Sequence, residues 1–245
     1  MADYKIPKLV ISGITDEGLV RDHNEDYISW VPELGLVTLA DGMGGHNAGE
    51  VASKLAVTSI MDSLTDLTSP DLEAVSQSVT SANNKINEHA KVHPECSGMG
   101  TTIVMALFHN ESVILASVGD SRIYRFRKGE LTQLSTDHSL VQEMIDSGYM
   151  TEEEALESNN RNLITRALGV ADEVQVDVAE HAVEKDDIYL LCSDGLSDMV
   201  DDKNIFSTLV KTRDNLERAG KDLVDLAKKN GGKDNVSVIL VACKQ

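Results

Sequence analysis

The chain has 245 residues, 41% of them hydrophobic, so it can bury a sizeable core as one large domain or two small ones. Its 41 acidic residues outnumber its 22 basic residues and give a formal net charge of -19. Binding to a phosphate backbone depends on Lys and Arg, so this charge argues against nucleic acid and against an anionic membrane as partners.

The cysteines and the N-terminal residues bear on the cellular compartment. Three cysteines stand far apart and form no Cys-x-x-Cys pair: Cys96, Cys192 and Cys243. This pattern favours a reducing compartment and argues against zinc bound by thiolates. The first residues lack the apolar stretch of a signal peptide, and no run approaches the roughly 20 apolar residues of a membrane span. We therefore expect a cytoplasmic protein and, because no dimerisation signal is present, a monomer.

The first part of the chain predicts three strands followed by two helices. The strands are expected at residues 8–14, 27–31 and 36–40. Apolar residues at helical spacing predict a first helix over 48–64. A second helix is expected to run to about Val92, with Ser69 as its N-cap and Pro70 at its first position.

A β-rich block follows, with short connections that are typical of antiparallel hairpins. Its strands are expected at 101–108, 112–118, 122–127 and 130–134. The next segment, from about Asp137 to Gly169, is charged and has no clear strand pattern. It contains two short helical patterns, at 139–146 and 151–157, and is predicted to be a flap over one edge of the sheet.

The last part of the chain returns to strands and ends with a helix and a strand. The elements are expected at 173–182, 187–192, 215–229 and 236–242. Strands outnumber helices, and the helices are grouped early and late rather than following every strand. This order predicts an α+β fold with packed antiparallel sheets and helices outside, rather than a doubly wound parallel sheet. A single domain over 1–245, with a flap at about 137–170, accounts for a chain that has no linker or internal repeat.

The clearest chemical pattern is the strand at 36–40 together with the residues after it. The apolar run ends in Asp41 and then turns through Gly42, Gly44 and Gly45, which permit a tight turn and a close backbone approach. An acidic residue at the end of a buried strand contributes little to a core but can bind a cation. Taken alone, the Asp-Gly pair is equally typical of an ordinary turn.

Carboxylates also stand beside other predicted strands: Glu25, Asp26, Asp120, Asp194 and Asp234. A sandwich or barrel would bring these strand ends to one rim. Two carboxylates about 4 Å apart repel by roughly 4 kcal/mol at an effective dielectric of 20, so a converging group needs cations to stay ionised. The alternative is that these residues are ordinary surface turns.

The ligand types in this pattern select the kind of metal. Oxygen ligands without cysteine or patterned histidine favour hard divalent cations, Mg²⁺ or Mn²⁺. Two such ions that share a carboxylate would turn a bridging water into hydroxide and support an in-line displacement at phosphorus. Arg21 is the natural complement, because a guanidinium can hold two phosphate oxygens.

These residues resemble a known family, the metal-dependent protein serine/threonine phosphatases (protein phosphatase type 2C), in its bacterial-type form. The motif segments follow the family's order from about residue 8 to 243, nearly the whole chain. The segments are Arg21-Asp22-His23-Asn24-Glu25-Asp26, Ala40-Asp41-Gly42-Met43-Gly44-Gly45-His46, Gly98-Met99-Gly100-Thr101-Thr102, Val118-Gly119-Asp120-Ser121-Arg122, Asp137-His138-Ser139-Leu140, Leu163-Ile164-Thr165-Arg166-Ala167-Leu168-Gly169, Ser193-Asp194-Gly195-Leu196-Ser197-Asp198 and Lys233-Asp234-Asn235-Val236-Ser237.

The resemblance implies a four-layer α-β-β-α sandwich of two antiparallel sheets flanked by helix pairs, with metals in a cleft at one end. It implies that Asp41 bridges two Mg²⁺ or Mn²⁺ ions and that the Gly42 carbonyl binds one of them. Asp194 and Asp234 would complete the first metal site.

The resemblance also assigns the remaining candidates. Either Glu25 or Asp26 would serve the second ion, directly or through water. Asp120, together with Asp198, matches the position linked to a third, weaker metal. Arg21 would bind the substrate phosphate, and the flap would border the cleft and influence substrate choice.

One position departs from the pattern of many eukaryotic members, which have a histidine directly after Asp-Gly as a proposed general acid. Here that position is Met43, as in bacterial-type members. His46 is the candidate substitute, and a positioned acid contributes about 10²–10⁴-fold. The alternatives are that His46 caps the following helix or faces solvent.

We therefore predict Mg²⁺- or Mn²⁺-dependent hydrolysis of phosphoserine and phosphothreonine in proteins by a metal-bridged hydroxide. The partners would be phosphorylated proteins that serve a signalling pathway as substrates of a Ser/Thr kinase. Two alternatives are a phosphatase of small-molecule phosphates, which the same metal site would serve, and a pseudophosphatase that only binds phosphoproteins. A pseudophosphatase is expected to have lost metal carboxylates, whereas this chain keeps Asp41, Asp194 and Asp234.

Overall fold

The computed structural model of the protein describes residues 4–45, 48–65, 69–151, 154–155, 158, 160 and 163–244. Among these residues the strands are β1 (Lys8–Asp16), β2 (Asp26–Val31), β3 (Leu36–Met43), β4 (Gly100–Thr101), β5 (Ile103–His109), β6 (Ser112–Val118), β7 (Arg122–Arg127), β8 (Glu130–Gln133), β9 (Asp177–Ala182), β10 (Ile188–Cys192) and β11 (Val236–Lys244). The helices are α1 (Ala48–Thr65), α2 (Leu72–Val92), α3 (Leu140–Asp146), α4 (Asp194–Ser197), α5 (Asp202–Thr212) and α6 (Leu216–Lys229).

The strands form two antiparallel sheets. The first sheet has the order β1-β11-β10-β7-β8, and the second has the order β2-β3-β5-β6-β9 with β4 paired to β3. The predicted hairpins account for the pairs β5-β6 and β7-β8. Strand β1, in contrast, pairs with the last strand, from Lys8 opposite Lys244 to Asp16 opposite Val236. No local sequence pattern indicates that pairing.

The two sheets pack face to face because their central strands are apolar on both faces. In β3, Val37 belongs to the core between the sheets, whereas Leu36 belongs to the core beneath the helices. The core between the sheets contains an edge-to-face aromatic pair, Phe108 and Tyr189, with ring centroids 5.3 Å apart. The alternating directions of strand side chains therefore build two kinds of core from one apolar run.

Helices cover the outer face of each sheet. Helices α1 and α2 pack on the second sheet, where the small side chains of Ala52 and Ala56 allow a close approach. Helices α5 and α6 pack on the first sheet through residues such as Leu209 and Leu223. The predicted α+β fold, a four-layer α-β-β-α sandwich of two antiparallel sheets flanked by helix pairs, is confirmed.

Helix α2 begins later than predicted, because Asp71 rather than Ser69 is its N-cap. The Asp71 carboxylate accepts a hydrogen bond from the Ala74 backbone N–H at 2.7 Å. A carboxylate in this position also interacts favourably with the positive end of the helix dipole, which a serine hydroxyl does not.

The strand predicted at 173–182 is shorter, since only Asp177–Ala182 pairs with β6. Ahead of Asp177, the partly buried side chains of Val174 and Val176 pack on the core beneath the helices. Helix α2 also binds the backbone of two residues that precede the predicted strand. The Asn83 side chain donates hydrogen bonds to the carbonyls of Ala171 and Asp172, at 3.0 and 3.2 Å. These backbone groups are satisfied by a side chain, so they need no neighbouring strand.

Helix α5 has no counterpart among the sequence predictions. It starts after the N-cap Asp201, whose carboxylate accepts from the Asn204 N–H at 2.8 Å. Its buried apolar residues are only Ile205 and Leu209, which is too short a stripe to indicate a helix. The helical pattern at 151–157 falls largely outside the described residues.

Two further features concern the helices and the cysteines. None of the described helices has both the length and the apolar composition that a membrane crossing requires. The cysteines are buried free thiols: Cys96, Cys192 and Cys243.

Leu223 tests the outer helical layer, because its side chain is fully buried between α6 and the first sheet. We expect Leu223→Ala to lower the free energy of unfolding by about 2–5 kcal/mol, since it leaves a cavity. Leu72→Ala, at an exposed leucine of α2, is the matched control and should change it by less than about 0.5 kcal/mol. Urea denaturation measures both variants, and equal losses would contradict this packing.

Candidate active site

The candidate carboxylates lie at one end of the sandwich. In the second sheet, β2 begins at Asp26, directly opposite Asp41 of β3. In the first sheet, Cys192 of β10 pairs with both Arg122 of β7 and Val238 of β11. The residues just beyond these strand ends are Asp120, Asp194 and Asp234. The expected meeting of the strand ends at one rim is therefore observed.

Hydrogen bonds join the two sheets at this rim. The Ser193 hydroxyl of the first sheet donates to Asp26 Oδ2 at 2.9 Å and accepts from the Ser237 N–H at 3.0 Å. The Asn235 side-chain oxygen accepts from the Glu25 N–H at 2.9 Å. Side chains of the first sheet therefore fix two acidic residues of the second.

Two threonines hold the backbone of Asp41. The Thr101 hydroxyl donates to the Asp41 carbonyl at 2.8 Å, and the Thr102 hydroxyl accepts from the Asp41 N–H at 3.0 Å. Gly42 packs against the Gly49 carbonyl so closely that a Cβ at Gly42 would overlap it. The close backbone approach expected of this glycine is therefore present.

The carboxylates destabilise one another's charged forms. Burial first, and then the charges of neighbouring aspartates, raise the pKa of Asp41 and of Asp194 well above the usual 3.8. Burial also raises the pKa of Asp26 and Asp120 to about 6, and charged neighbours add to the effect. A cation at this rim would compensate for both the lost hydration and the repulsion.

Three buried carboxylate oxygens at the rim have no hydrogen-bond partner among the described residues: Glu25 Oε1, Asp26 Oδ1 and Asp120 Oδ1. An unsatisfied buried acceptor costs about 1–3 kcal/mol, and more when it is charged. Carboxylate oxygens of this kind fit Mg²⁺ or Mn²⁺. Within the described part of the chain, however, no three His, Cys, Asp or Glu side chains converge as a complete ligand set. The roles of the individual ligands, and of the Gly42 carbonyl, stay predictions.

Arg21 lies beside the rim with about half of its side chain exposed (50%). Its Nη2 donates to Asp234 Oδ2 at 2.7 Å, and this hydrogen bond raises the pKa of the guanidinium, as do the charges of Glu25 and Asp41. The guanidinium therefore offsets part of the negative charge of the rim while it remains accessible to an anion from solvent.

A cleft of about 690 Å³ extends from the rim. Its lining includes Asp120, Asp194 and Asp198, and also Ser139 of the predicted flap. The charge of Asp198 contributes to the raised pKa of both other aspartates. The described part of segment 137–170 therefore borders the cleft, next to the candidate ligands.

The candidate general acid, His46, lies outside the residues that the structure describes, so its alternatives stay open. Met43 is the last residue of β3. Another histidine, His23 of the first motif segment, has its Nε2 at 3.6 Å from Oε1 of Glu25.

Solved structures that are similar to this sandwich include those of serine/threonine phosphatases. The family model described as Protein phosphatase 2C matches residues 20–229. The chain therefore belongs to the protein phosphatase 2C family, and the resemblance found in its motifs is confirmed.

Individual relatives agree over nearly the full length. Serine/threonine phosphatase stp of Listeria welshimeri is 37% identical over 235 residues, which cover 93% of each chain. The structure of the S. agalactiae serine/threonine phosphatase has a TM-score of 0.90 at 37% identity and covers 97% of this chain and 100% of that one. The catalytic domain of serine/threonine protein phosphatase PstP, solved with two manganese ions, has a TM-score of 0.88 at 38% identity, with 97% and 99% covered. The prediction of an enzyme of the bacterial serine/threonine phosphatase type is confirmed.

Sequence reasoning assigned no role to several residues that organise the rim. Thr102, Ser193 and Asn235 hold the backbones or carboxylates of the acidic residues. Each lies within a motif segment and next to an acidic residue or in a predicted strand. Only that position in the sequence could have indicated a role at the site. Their partners lie far away in the chain, so the contacts are visible only in the folded protein.

Asp120 offers a test of the repulsion at the rim. Folding raises the pKa of Asp120 from 3.8 to about 6. The contribution of this side chain to the free energy of unfolding is therefore complete below pH 3.8, where the side chain is protonated, and is lost as the pH rises through 6. We expect metal-free Asp120→Asn to be about 1–3 kcal/mol more stable than wild type near neutral pH, and the difference to shrink toward pH 4. Urea denaturation with EDTA at both pH values measures this.

Asp172→Asn is the matched control for that measurement, since the Asp172 side chain is 90% exposed. Its stability should follow that of wild type at both pH values. The repulsion is refuted if Asp120→Asn keeps the pH dependence of wild type.

Proposed function

We propose that this protein hydrolyses phosphoserine and phosphothreonine in phosphoproteins and depends on Mg²⁺ or Mn²⁺. The observation that carries the proposal is the group of buried carboxylates with raised pKa values and unpartnered oxygens at one end of the cleft. The printed description of PstP with two manganese ions supports the choice of metal. The names of the relatives support the phosphoprotein substrate.

Within this proposal Asp194 and Asp234 would hold the first ion, and Asp41 would contribute to both ions. The Gly42 carbonyl would be a ligand of one of them. When bound, two such ions supply an activated water and neutralise charge on the phosphoryl group. The raised pKa values of Asp41 and Asp194 support this assignment, because a bound cation would favour their charged forms.

Glu25 and Asp26 are the candidates for the second ion. Each has one unpartnered oxygen, so each is suited to a direct bond or to a bond through water. Asp26 is held by the Ser193 hydroxyl through its other oxygen, which orients the unpartnered one. Asp120, with Asp198 beside it, is the candidate for a third and weaker ion.

Arg21 binds the substrate phosphate in this proposal. Its guanidinium presents several donors in a fixed plane, which suits two phosphate oxygens at once. The bond to Asp234 orients the side chain, and half of it faces solvent. The general acid is assigned to His46 as a hypothesis, with the other roles of that residue still open.

The flap at 137–170 is proposed to influence substrate choice, since its described residues border the cleft. The physiological substrates would be proteins phosphorylated by a serine/threonine kinase. The absence of nucleic-acid and membrane partners stays a prediction that rests on the net charge. The monomeric state and the cytoplasmic location stay predictions that rest on the sequence patterns described above.

Metal dependence can be measured directly. We expect hydrolysis of a phosphothreonine peptide with Mn²⁺ to stop in EDTA and to return when Mn²⁺ is added in excess. Asp41→Asn and Asp194→Asn should lower kcat/KM by about 100-fold or more, the loss that follows removal of one group stabilising transition-state charge. Asp222→Asn, at a half-exposed helix position, is the control and should leave kcat/KM unchanged.

The outcome that would overturn the proposal is activity that survives EDTA or survives both substitutions at the rim. A panel of phosphopeptides, sugar phosphates and nucleotides separates the substrate classes. Faster turnover of the small phosphates than of the peptides would favour a metabolite phosphatase instead.

Arg21 is tested by Arg21→Lys, which keeps the charge but loses the two-pronged geometry. We expect KM for the phosphopeptide to rise about 10-fold or more, since a hydrogen bond to a charged group contributes about 1.5–3 kcal/mol. The affinity for Mn²⁺, measured by calorimetry, should change little. A fall in Mn²⁺ affinity with an unchanged KM would mean that Arg21 supports Asp234 rather than the substrate.

A further inference from the structure

His138 connects the base of the flap to the turn that carries Asp120. The histidine is buried, with 4% of its surface exposed. Its backbone N–H donates to the Gly119 carbonyl at 2.9 Å, and its Nδ1 accepts from the Gly119 N–H at 3.0 Å. One residue therefore binds both backbone polar groups of the glycine that precedes Asp120.

The other side of His138 contacts the flap and strand β9. The His138 carbonyl accepts from the Thr165 N–H at 2.8 Å. Because Nδ1 accepts a hydrogen bond, the neutral ring carries its proton on Nε2, which lies 3.2 Å from Asp177 Oδ2. Arg166 Nη1 lies 3.3 Å from the same Nε2 and 3.4 Å from the other oxygen of Asp177. The ring is thus held from both sides.

The turn that His138 holds has little freedom of its own. Gly119 has φ of +106°, and a Cβ there would lie 2.6 Å from the side chain of Thr102. On the far side of Asp120, the Ser121 and Thr102 hydroxyls form a hydrogen bond of 2.7 Å. Thr102 also accepts from the Asp41 N–H. A continuous path of contacts therefore joins His138 to two candidate metal ligands.

We propose that His138 is a positioning residue that orients Asp120 for a third divalent cation and ties this ligand to the base of the flap. The inference rests on the ligand role of Asp120 in the proposed function. Without the Nδ1 acceptor, the buried Gly119 N–H loses its partner and the turn must shift to satisfy it. Residues that orient metal ligands typically change metal affinity by about 10–100-fold when they are replaced.

Two substitutions at one position separate positioning from simple packing. His138→Leu fills the space but removes the acceptor, whereas His138→Asn keeps an acceptor close to the place of Nδ1. Calorimetric titration with Mn²⁺ should give a weakest site whose affinity falls about 10–100-fold in His138→Leu and stays within about threefold of wild type in His138→Asn. The tighter ions should bind both variants as they bind wild type, and thermal melting reports whether each variant is folded.

Asp120→Asn and Asp177→Asn complete the experiment. Asp120→Asn should lose the same weak site as His138→Leu, and combining the two should cause no further loss. If His138→Leu does not fold, Asp177→Asn carries the test, because weakening the Nε2 contact should lower the affinity of the same site by about threefold or more.

Several results would overturn the inference. They are unchanged weak-site affinity in both His138→Leu and Asp177→Asn, equal loss in His138→Leu and His138→Asn, and a wild-type protein that binds only two ions. In the last case, Mn²⁺-dependent hydrolysis of the phosphopeptide by the same protein would leave the proposed function intact. Loss of that hydrolysis as well would overturn both the inference about His138 and the proposed function.

Discussion

The constraint that the rest of the structure has to meet is the repulsion among the carboxylates that the fold gathers at one end of the sandwich. Asp26, Asp41, Asp120 and Asp194 all have raised pKa values there, with burial as the first cause and neighbouring charges adding to it. A site of this kind is unfavourable by itself and favourable once cations are bound. The surrounding scaffold has to hold the acidic side chains together against both the loss of hydration and the repulsion between their charges.

The scaffold does so with two rigid layers and a few bonds between them. Each aspartate stands beside a strand end whose register is fixed by long antiparallel pairing. Hydrogen bonds of Ser193 with Asp26 and of Asn235 with Glu25 then join the layers at the rim itself. Helices bury the outer faces of the sheets, so the stability comes from apolar layers that lie apart from the charged rim. This separation lets a destabilising site exist in a stable domain.

Much of the fold could be predicted because the strand and helix patterns are local. The hairpins, the helix α1 and the last strand all follow from apolar periodicity and short connections. The exceptions have physical causes. Helix α5 has only two buried apolar residues, Ile205 and Leu209, and strand β9 is short because its pairing with β6 extends no further back than Asp177. The extent of pairing between two strands leaves no periodic signal in the sequence.

The sequence by itself determined the family and the acidic residues of the candidate site, because these are carried by short motifs in a fixed order. It also indicated their shared location, since each lies at the end of an apolar strand. Only the tertiary structure decided how those residues are held. Arg21 donates a hydrogen bond to Asp234, which is 213 positions away in the chain. His138, at the base of the flap, accepts a hydrogen bond from the turn before Asp120. The contact of Arg21 with Asp234 depends on sheet order and register, because β1 and β11 pair the two ends of the chain.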